Sequence, residues 1–330
     1  MPALVICTGG GIGDALLATP VMRTLRERYG SVVALTAAAH REVLASDPDL
    51  AEVWTDDVPF ARQAARIRAH GFAASVTTWA TQRSAALPFV AGIPLRAGQA
   101  RRLYSPLFNR RVVVRSELGD RTTHWTEILL DFARALGCEP ASALPVFAIP
   151  DAARASLAAT LAARGVHAPY VVLHPTRGIA AARERWPVQR LGELARALAA
   201  AEDATVIVTG GGADRAIADS VARLGGAVSL GGATSIAEFG ALAAGARAVV
   251  AMDSGPMHVA AAVGARTVGI FALQSDEPDR WAPRGPHVAV VRATYPCPPA
   301  HRKETCPDFA CVAALEIPRV LAAVRGLAAP

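Results

Sequence analysis

The residues of this chain best placed to do chemistry stand where apolar runs give way to helices. Residues 248–263 read AVVAMDSGPMHVAAAV, a β-branched run suited to a buried parallel strand followed by an alanine-rich helical pattern. Between them, Asp253, Ser254, Gly255, Pro256, Met257 and His258 suit a helix start that faces a ligand. Ser254 is a natural N-cap, Gly255 has no Cβ to block close approach, and Pro256 tolerates the first turn, where its missing N–H costs little. The amides of Met257 and His258, with the positive end of the helix dipole, then make an anion site. Asp253 ends the strand, where open α/β sheets place their ligands.

A second such junction comes early. Residues 9–14 read GGGIGD. No GK[ST] follows, so this is not a P-loop, and Asp14 stands where a dinucleotide fingerprint has its third glycine. Residues 36–39 also lack the acid that would hold an NAD ribose. What remains is a turn, with Gly11 and Gly13, that presents Asp14 in the first turn of a helix. There a carboxylate either caps the dipole, worth about 0.3–1 kcal/mol, or acts as a general base, worth typically ~10²–10⁴-fold in rate.

Thr176 and Arg177, in the run HPTRG, suit phosphate oxygens, the arginine in bidentate fashion. Arg183 and Arg185 flank Glu184 just before Trp186 and Pro187. This segment reads either as further phosphate contacts or as a solvated loop in which Trp186 and Pro187 anchor the next helix. GGGAD at 210–214 is another strand-to-helix turn. Asp47-Pro48-Asp49 has the spelling of a metal-binding DxD but reads as a solvated loop. Cys297, Cys306 and Cys311 cluster near His301 without the CxxC or fourth cysteine that would mark a zinc site. No metal site is expected.

Positioning these residues takes two successive series of alternating strands and helices, hence an α/β fold with two doubly wound, Rossmann-like domains facing across a cleft. The expected division is residues 1–160 and 161–330, with the final helix, about 317–327, a candidate to pack back on the first domain. One helix is expected across residues 14–29, a strand at 145–150, and exposed loops through the Arg-rich, Pro-broken stretch 94–118.

The 330 residues are 52% hydrophobic and 19% charged, as in a globular protein, and no apolar run reaches the ~20 residues of a membrane span. Met1 leads straight into a strand with no basic leader, so the chain reads as cytoplasmic. The net charge of +6 is carried by arginine, Lys303 being the only lysine. In sequence, Arg83, Arg96, Arg101, Arg102, Arg110, Arg111, Arg115 and Arg121 face only Glu117 and Asp120. That segment suits an anionic substrate or an acidic membrane surface. Nucleic acid is not expected, because no recognition-helix, RNP or zinc-finger pattern accompanies it.

In order and spacing, the motifs resemble glycosyltransferase family 9, the ADP-heptose:lipopolysaccharide heptosyltransferase family. The matching pieces are GIGDALLATPVMRTLRERYG, HPTRG, RERWPVQRLGELARAL, VTGGGADR and the long run from LGGATSIAEFGALAAG to MDSGPMHVAAAVGARTVGIF. They cover both ends and most of the second half. The resemblance implies a GT-B fold, the first domain receiving the acceptor and the second an ADP-sugar, with inverting transfer and no cofactor or catalytic metal. It implies Asp14 as catalytic base beside the Gly11–Gly13 turn. Thr176, Arg177, Ser254, Gly255, Met257 and His258 fall on the pyrophosphate, Asp253 near the sugar, and Thr234 and Ser235 against the adenine. Arg183 and Arg185 are candidates to take over the phosphate contact of a family lysine, whose place Glu184 holds. Residues 15–20 read ALLATP where inner-core enzymes carry a histidine.

The expected activity is transfer of heptose or a related sugar from ADP to an anionic glycolipid or glycan acceptor, as in lipopolysaccharide biosynthesis, with peripheral contact at the membrane's cytoplasmic face. Two alternatives are an NAD-dependent oxidoreductase on the same βαβ units and a non-catalytic ADP-sugar-binding protein.

Overall fold

The computed structural model describes residues 1–176, 186–298 and 306–327. The chain forms two compact units, Met1–Ala148 and Ile149–Pro330. The first holds six parallel strands, β1 (Ala3–Cys7), β2 (Val32–Thr36), β3 (Glu52–Thr55), β4 (Ala74–Thr77), β5 (Leu95–Gln99) and β6 (Arg110–Val112), in the order β3-β2-β1-β4-β5-β6. The second repeats the plan with β7 (Tyr170–His174), β8 (Thr205–Gly210), β9 (Val228–Gly231), β10 (Ala248–Met252), β11 (Thr267–Phe271) and β12 (Val288–Arg292), in the order β12-β11-β10-β7-β8-β9. β1 and β10 are apolar along their whole length and fully buried, as strands covered by helices on both faces must be.

Strand order reverses direction between β1 and β4 in one sheet and between β7 and β10 in the other. The loops leaving the carboxyl ends of such neighbours diverge to opposite faces and leave a crevice. Residues 8–11 and 78–81 border that point in the first unit, residues 175–176 and 253–254 in the second.

The single helix expected across residues 14–29 is two, Ile12–Leu17 and Thr19–Tyr29. Pro20 has no N–H to give the Leu16 carbonyl; the Thr19 hydroxyl donates to that oxygen instead, at 2.8 Å. The second helix stops at Gly30, which takes the left-handed conformation at φ 76°. The stretch 94–118 is not all loop, since it supplies β5 and β6. Arginine hides these short strands: Arg96 lies along its own unit and donates to the Leu107 carbonyl at 2.9 Å. Residues 145–150 are not a strand, and the Val146 amide donates to Thr19 Oγ1 at 2.9 Å rather than to a ladder.

The second unit begins before residue 161 because the helix Asp151–Ala163 packs on Ile236–Ala244, with Ser156 donating to Glu238. The last helix, Ile317–Gly326, lies on its own unit against β11 and β12, burying Val320 and Val324. Trp186 is fully buried beside it, donating from Nε1 to the Val312 carbonyl at 2.9 Å, so it anchors the helix Val188–Glu202.

Asp47 and Asp49 are not solvated. Both are buried, and Asp49 is held by Arg23 at 3.0 Å and Arg26 at 2.8 Å. Asp47 accepts the Asp49 amide at 2.8 Å, and its burial pushes the carboxyl up to about 6 from an ordinary 3.8. The folded chain therefore holds this proton more tightly than the unfolded chain does. The stability this confers is present below about pH 4 and is lost as pH rises through about 6, amounting to about 3 kcal/mol. Asp47→Asn keeps an oxygen for the Asp49 amide and carries no charge. In thermal unfolding from acid to neutral pH, this variant should be the more stable protein above pH 6, by up to about 3 kcal/mol, with the gap closing below pH 4.

Candidate active site

In the first unit the turn after β1 is built around a carboxylate. Asp14 is the third residue of its helix, and its Oδ2 accepts the N–H of the N-cap residue, Gly11, at 2.7 Å. Gly11 has no side chain to return the contact, so this is half of a capping box. The other oxygen, Oδ1, accepts from Trp79 Nε1 at 3.1 Å. The glycines make room for both partners. Gly10 sits at φ +76°, and a Cβ there would lie 2.3 Å from the Asp14 carboxylate, while a Cβ on Gly9 would lie 2.7 Å from Trp79 Cβ. Trp79 is itself fixed by stacking on Trp125, ring centres 4.9 Å apart and planes at 26°.

Burial raises the Asp14 pKa above its ordinary value, and the Gly11 and Trp79 hydrogen bonds and the nearby His40 oppose part of that rise. His40 ends the short 3₁₀ turn Ala38–His40 after β2, and burial lowers its pKa, with Asp14 pulling the other way. The sequence reading missed Trp79 and His40. Their positions just beyond the carboxyl ends of β4 and β2, on the same sheet edge as Asp14, were the available signal.

In the second unit the helix Gly255–Ala262 starts as expected, with Pro256 in its first turn. Ser254 stands at the N-cap in an extended conformation, but its hydroxyl turns back and donates to the Met252 carbonyl at 2.8 Å. The Ser254 hydroxyl therefore takes none of the first-turn amides of this helix. The Met257 side chain is fully buried, its sulfur 2.6 Å from where a Gly269 Cβ would be; only its backbone can serve a ligand. His258 is likewise buried, while Asp253 is half-buried at the sheet edge.

Thr176 is buried, and its hydroxyl donates to Asp214 Oδ2 at 2.9 Å, which commits its one proton to a carboxylate in place of a phosphate. His174, at the end of β7, is enclosed and pairs with Thr209 at 3.0 Å; burial pushes its pKa down to about 4, so it is neutral near pH 7. Ser235 caps the helix Ile236–Ala244 in a full capping box with Glu238, its hydroxyl accepting the Glu238 amide at 3.2 Å and its own amide donating back at 2.7 Å. Thr234 precedes it, half-buried, in the loop after β9. That loop turns at Gly232, φ +65°, where a Cβ would press on Gly212 at 3.1 Å. Arg177, Arg183, Glu184 and Arg185 lie outside the described residues.

The basic segment is more internally paired than its sequence suggests. Arg83 grips Asp56 through two bonds of 2.9 and 2.7 Å, and Arg115 grips Asp131 through two of 2.7 Å. Both carboxylates come from outside the segment. No helix among the described residues is long and apolar enough to cross a membrane.

The sequence from 61 to 308 matches the family model of glycosyltransferase family 9 (heptosyltransferase). The fold is similar to that of ADP-heptose lipopolysaccharide heptosyltransferase II from E. coli, with a TM-score of 0.79 and 22% identity over 98% of each chain. It is also similar to E. coli heptosyltransferase WaaC with ADP (TM-score 0.73, 18% identity, 98% of this chain and 99% of that one). A family 9 glycosyltransferase from Veillonella parvula matches at a TM-score of 0.77 and 18% identity, over 88% of this chain and 85% of that one. A comparison with curated proteins finds no match. Two parallel six-stranded α/β units, the GT-B fold of these enzymes and a family match spanning most of the sequence together make this chain a heptosyltransferase-like member of glycosyltransferase family 9.

Proposed function

We propose that the protein transfers heptose, or a related sugar, from an ADP-sugar to a hydroxyl of an anionic, lipopolysaccharide-type acceptor, with inversion and without a catalytic metal. The observation that carries this reading is the Asp14 carboxylate, held by two N–H donors in a glycine cradle at the point where the first sheet reverses its strand order. A carboxylate with a raised pKa is a stronger base than a solvated one, and its fixed orientation aims the free lone pairs. Asp14 takes the acceptor hydroxyl's proton. The oxygen attacks the anomeric carbon from the face opposite ADP, the bond from that carbon to the β-phosphate oxygen breaks, and ADP leaves with the electron pair.

The charge that develops on the leaving diphosphate falls to the second unit. The backbone amides at the start of Gly255–Ala262, with the helix dipole behind them, are fixed donors of the kind that stabilise such charge without rearranging. Arg177, Arg183 and Arg185 are assigned to the same phosphates, Asp253 to the sugar, and the Thr234–Ser235 backbone to the adenine. Support for ADP as the nucleotide comes from the WaaC structure, which holds it. For metal-independent transfer the support is that the DxD carboxylate Asp49 is committed to Arg23 and Arg26. The oxidoreductase alternative has no support: residues 36–39 remain without an acid, and the family is one of glycosyltransferases.

Asp14→Ala should lower transfer by roughly 10²–10⁴-fold in a mass-spectrometric assay with ADP-heptose, while the thermal shift given by ADP stays as in the parent protein. Normal transfer by this variant removes Asp14 from the role. Trp79→Phe preserves the stack on Trp125 and deletes one donor to the carboxylate. Its kcat should fall, and the acid limb of its pH–rate profile should move to higher pH, because the ionised form of Asp14 has lost a hydrogen bond. An unmoved acid limb would show that Trp79 is packing only.

A further inference from the structure

We propose that a groove along the outer edge of β3 receives a charged sugar of the acceptor glycan, its phosphate or carboxylate held between Arg41 and Arg66. This deepens the proposed function and rests on it, since it gives the body of an acceptor whose hydroxyl meets Asp14 a place to lie. On the β4 side of that carboxylate the space is taken by Trp79, bonded to Asp14 and stacked on Trp125. On the β2 side stands His40, close enough for its charge and that of Asp14 to act on each other. Its Nδ1 is buried and has no partner among the described residues. Arg41 comes next in the chain and lines a cavity of about 340 Å³ together with Glu52, Trp54 and Arg66. That size falls within the roughly 300–1,000 Å³ of small-molecule sites.

The groove follows from the topology. β3 is the outermost strand and pairs with β2 alone, so its other edge carries backbone N–H and C=O groups that no strand of the sheet takes. The steps from β2 to β3 and from β3 to β4 run in opposite directions across the sheet, and right-handed crossovers put their helices on opposite faces. Arg41 opens the first of these helices, Arg41–Leu44, and Arg66 lies in the second, Phe60–His70. The two arginines therefore come to the free edge from opposite faces, and both line the cavity. Arg66 lies over the Trp54 ring, 3.8 Å from its centre, and Trp54 is itself buried. Glu52, the one acid of the lining, is turned to that indole and accepts its Nε1 at 2.7 Å. Among the described residues neither arginine pairs with a carboxylate, unlike Arg23, Arg26, Arg83 and Arg115. Two uncommitted guanidinium forks on either side of an open backbone edge suit a charged sugar: the forks meet its anion and the edge meets its hydroxyls.

The test is a calorimetric titration of the full chain with the deacylated core oligosaccharide of a lipopolysaccharide. The oligosaccharide is used untreated, stripped of phosphate by a phosphatase, or with its carboxylates reduced to alcohols. The parent protein should bind the untreated form, more weakly as salt rises. At least one treatment should weaken binding about tenfold or more, and the treatment that does so identifies the anion. Arg41→Glu/Arg66→Glu should bind the untreated form no better than the parent binds the treated one, while Arg41→Lys/Arg66→Lys, which keeps both charges, should lose less. A parent-like unfolding temperature reports that each variant is folded; should the glutamate pair unfold, Arg41→Gln/Arg66→Gln makes the same comparison. Absence of binding by the parent, binding indifferent to both treatments, or full-strength binding by the charge-removed variant overturns the proposal. So does a variant that loses all forms of the oligosaccharide alike, since that is the mark of lost packing on Trp54. In those outcomes an intact thermal shift with ADP leaves the transferase reading standing, while oligosaccharide binding without any ADP shift refutes the nucleotide assignment and not the groove.

Discussion

A carboxylate withdrawn from water must have its charge answered by fixed dipoles, and the first unit is built around that requirement at Asp14. The residue lies in the first turn of the helix that follows β1, a strand buried along its whole length. Its partners are therefore a backbone amide and an indole N–H, both neutral and both rigid. Neutral donors hold the anion without neutralising it. An arginine in either place would form an ion pair and hold the pKa down, and a base so paired would be weak. The glycines at 9 and 10 follow from the same requirement, since any side chain there would displace the tryptophan or the carboxylate itself.

The two sheets place their loops by one rule and differ in what the loops carry. Each has its strand reversal at the centre, and each directs a glycine-rich or glycine-led turn toward the crevice. In the first unit the turn supplies a side chain that accepts a proton. In the second, the side chains near the turn are largely engaged: Ser254 with a carbonyl, Thr176 with Asp214, Ser235 with Glu238. What the turn offers besides is its backbone. Amides cannot be deprotonated or moved, and they suit a diphosphate whose charge must be met in the same place before and after bond cleavage.

This division explains which features were legible in the sequence. Both sheets followed from alternating apolar runs, and Asp14 and residues 253–258 stood out because glycine, proline and a capping residue mark a strand-to-helix junction by type alone. β5 and β6 did not stand out: LRAGQ has a single large apolar residue, and the edge strand RRV is three residues long and mostly arginine. Trp79 was invisible for another reason. Its bond to Asp14 spans 65 positions, and nothing local to either residue announces the other. The same holds for Asp56 and Asp131, which turn apparent free charge at Arg83 and Arg115 into internal pairs. Side-chain direction was the least readable feature: Ser254 is in the capping position and does not cap.

That last departure bears on how the donor would be held. A serine that capped its helix would consume one of the amides the diphosphate needs, so the turned-back hydroxyl is the arrangement an anion site favours. Thr176 points the other way, because its hydroxyl proton belongs to Asp214 and can reach a phosphate only if that bond opens. Glu184 adds no cation of its own. In the proposed reaction Arg177, Arg183 and Arg185 supply the cations, and the helix amides supply the fixed dipoles. An array of fixed amides is less sensitive to ionic strength than exposed cations are. It also depends more on the backbone position of Gly255, which the fully buried strand before it and the buried Met257 after it hold in place.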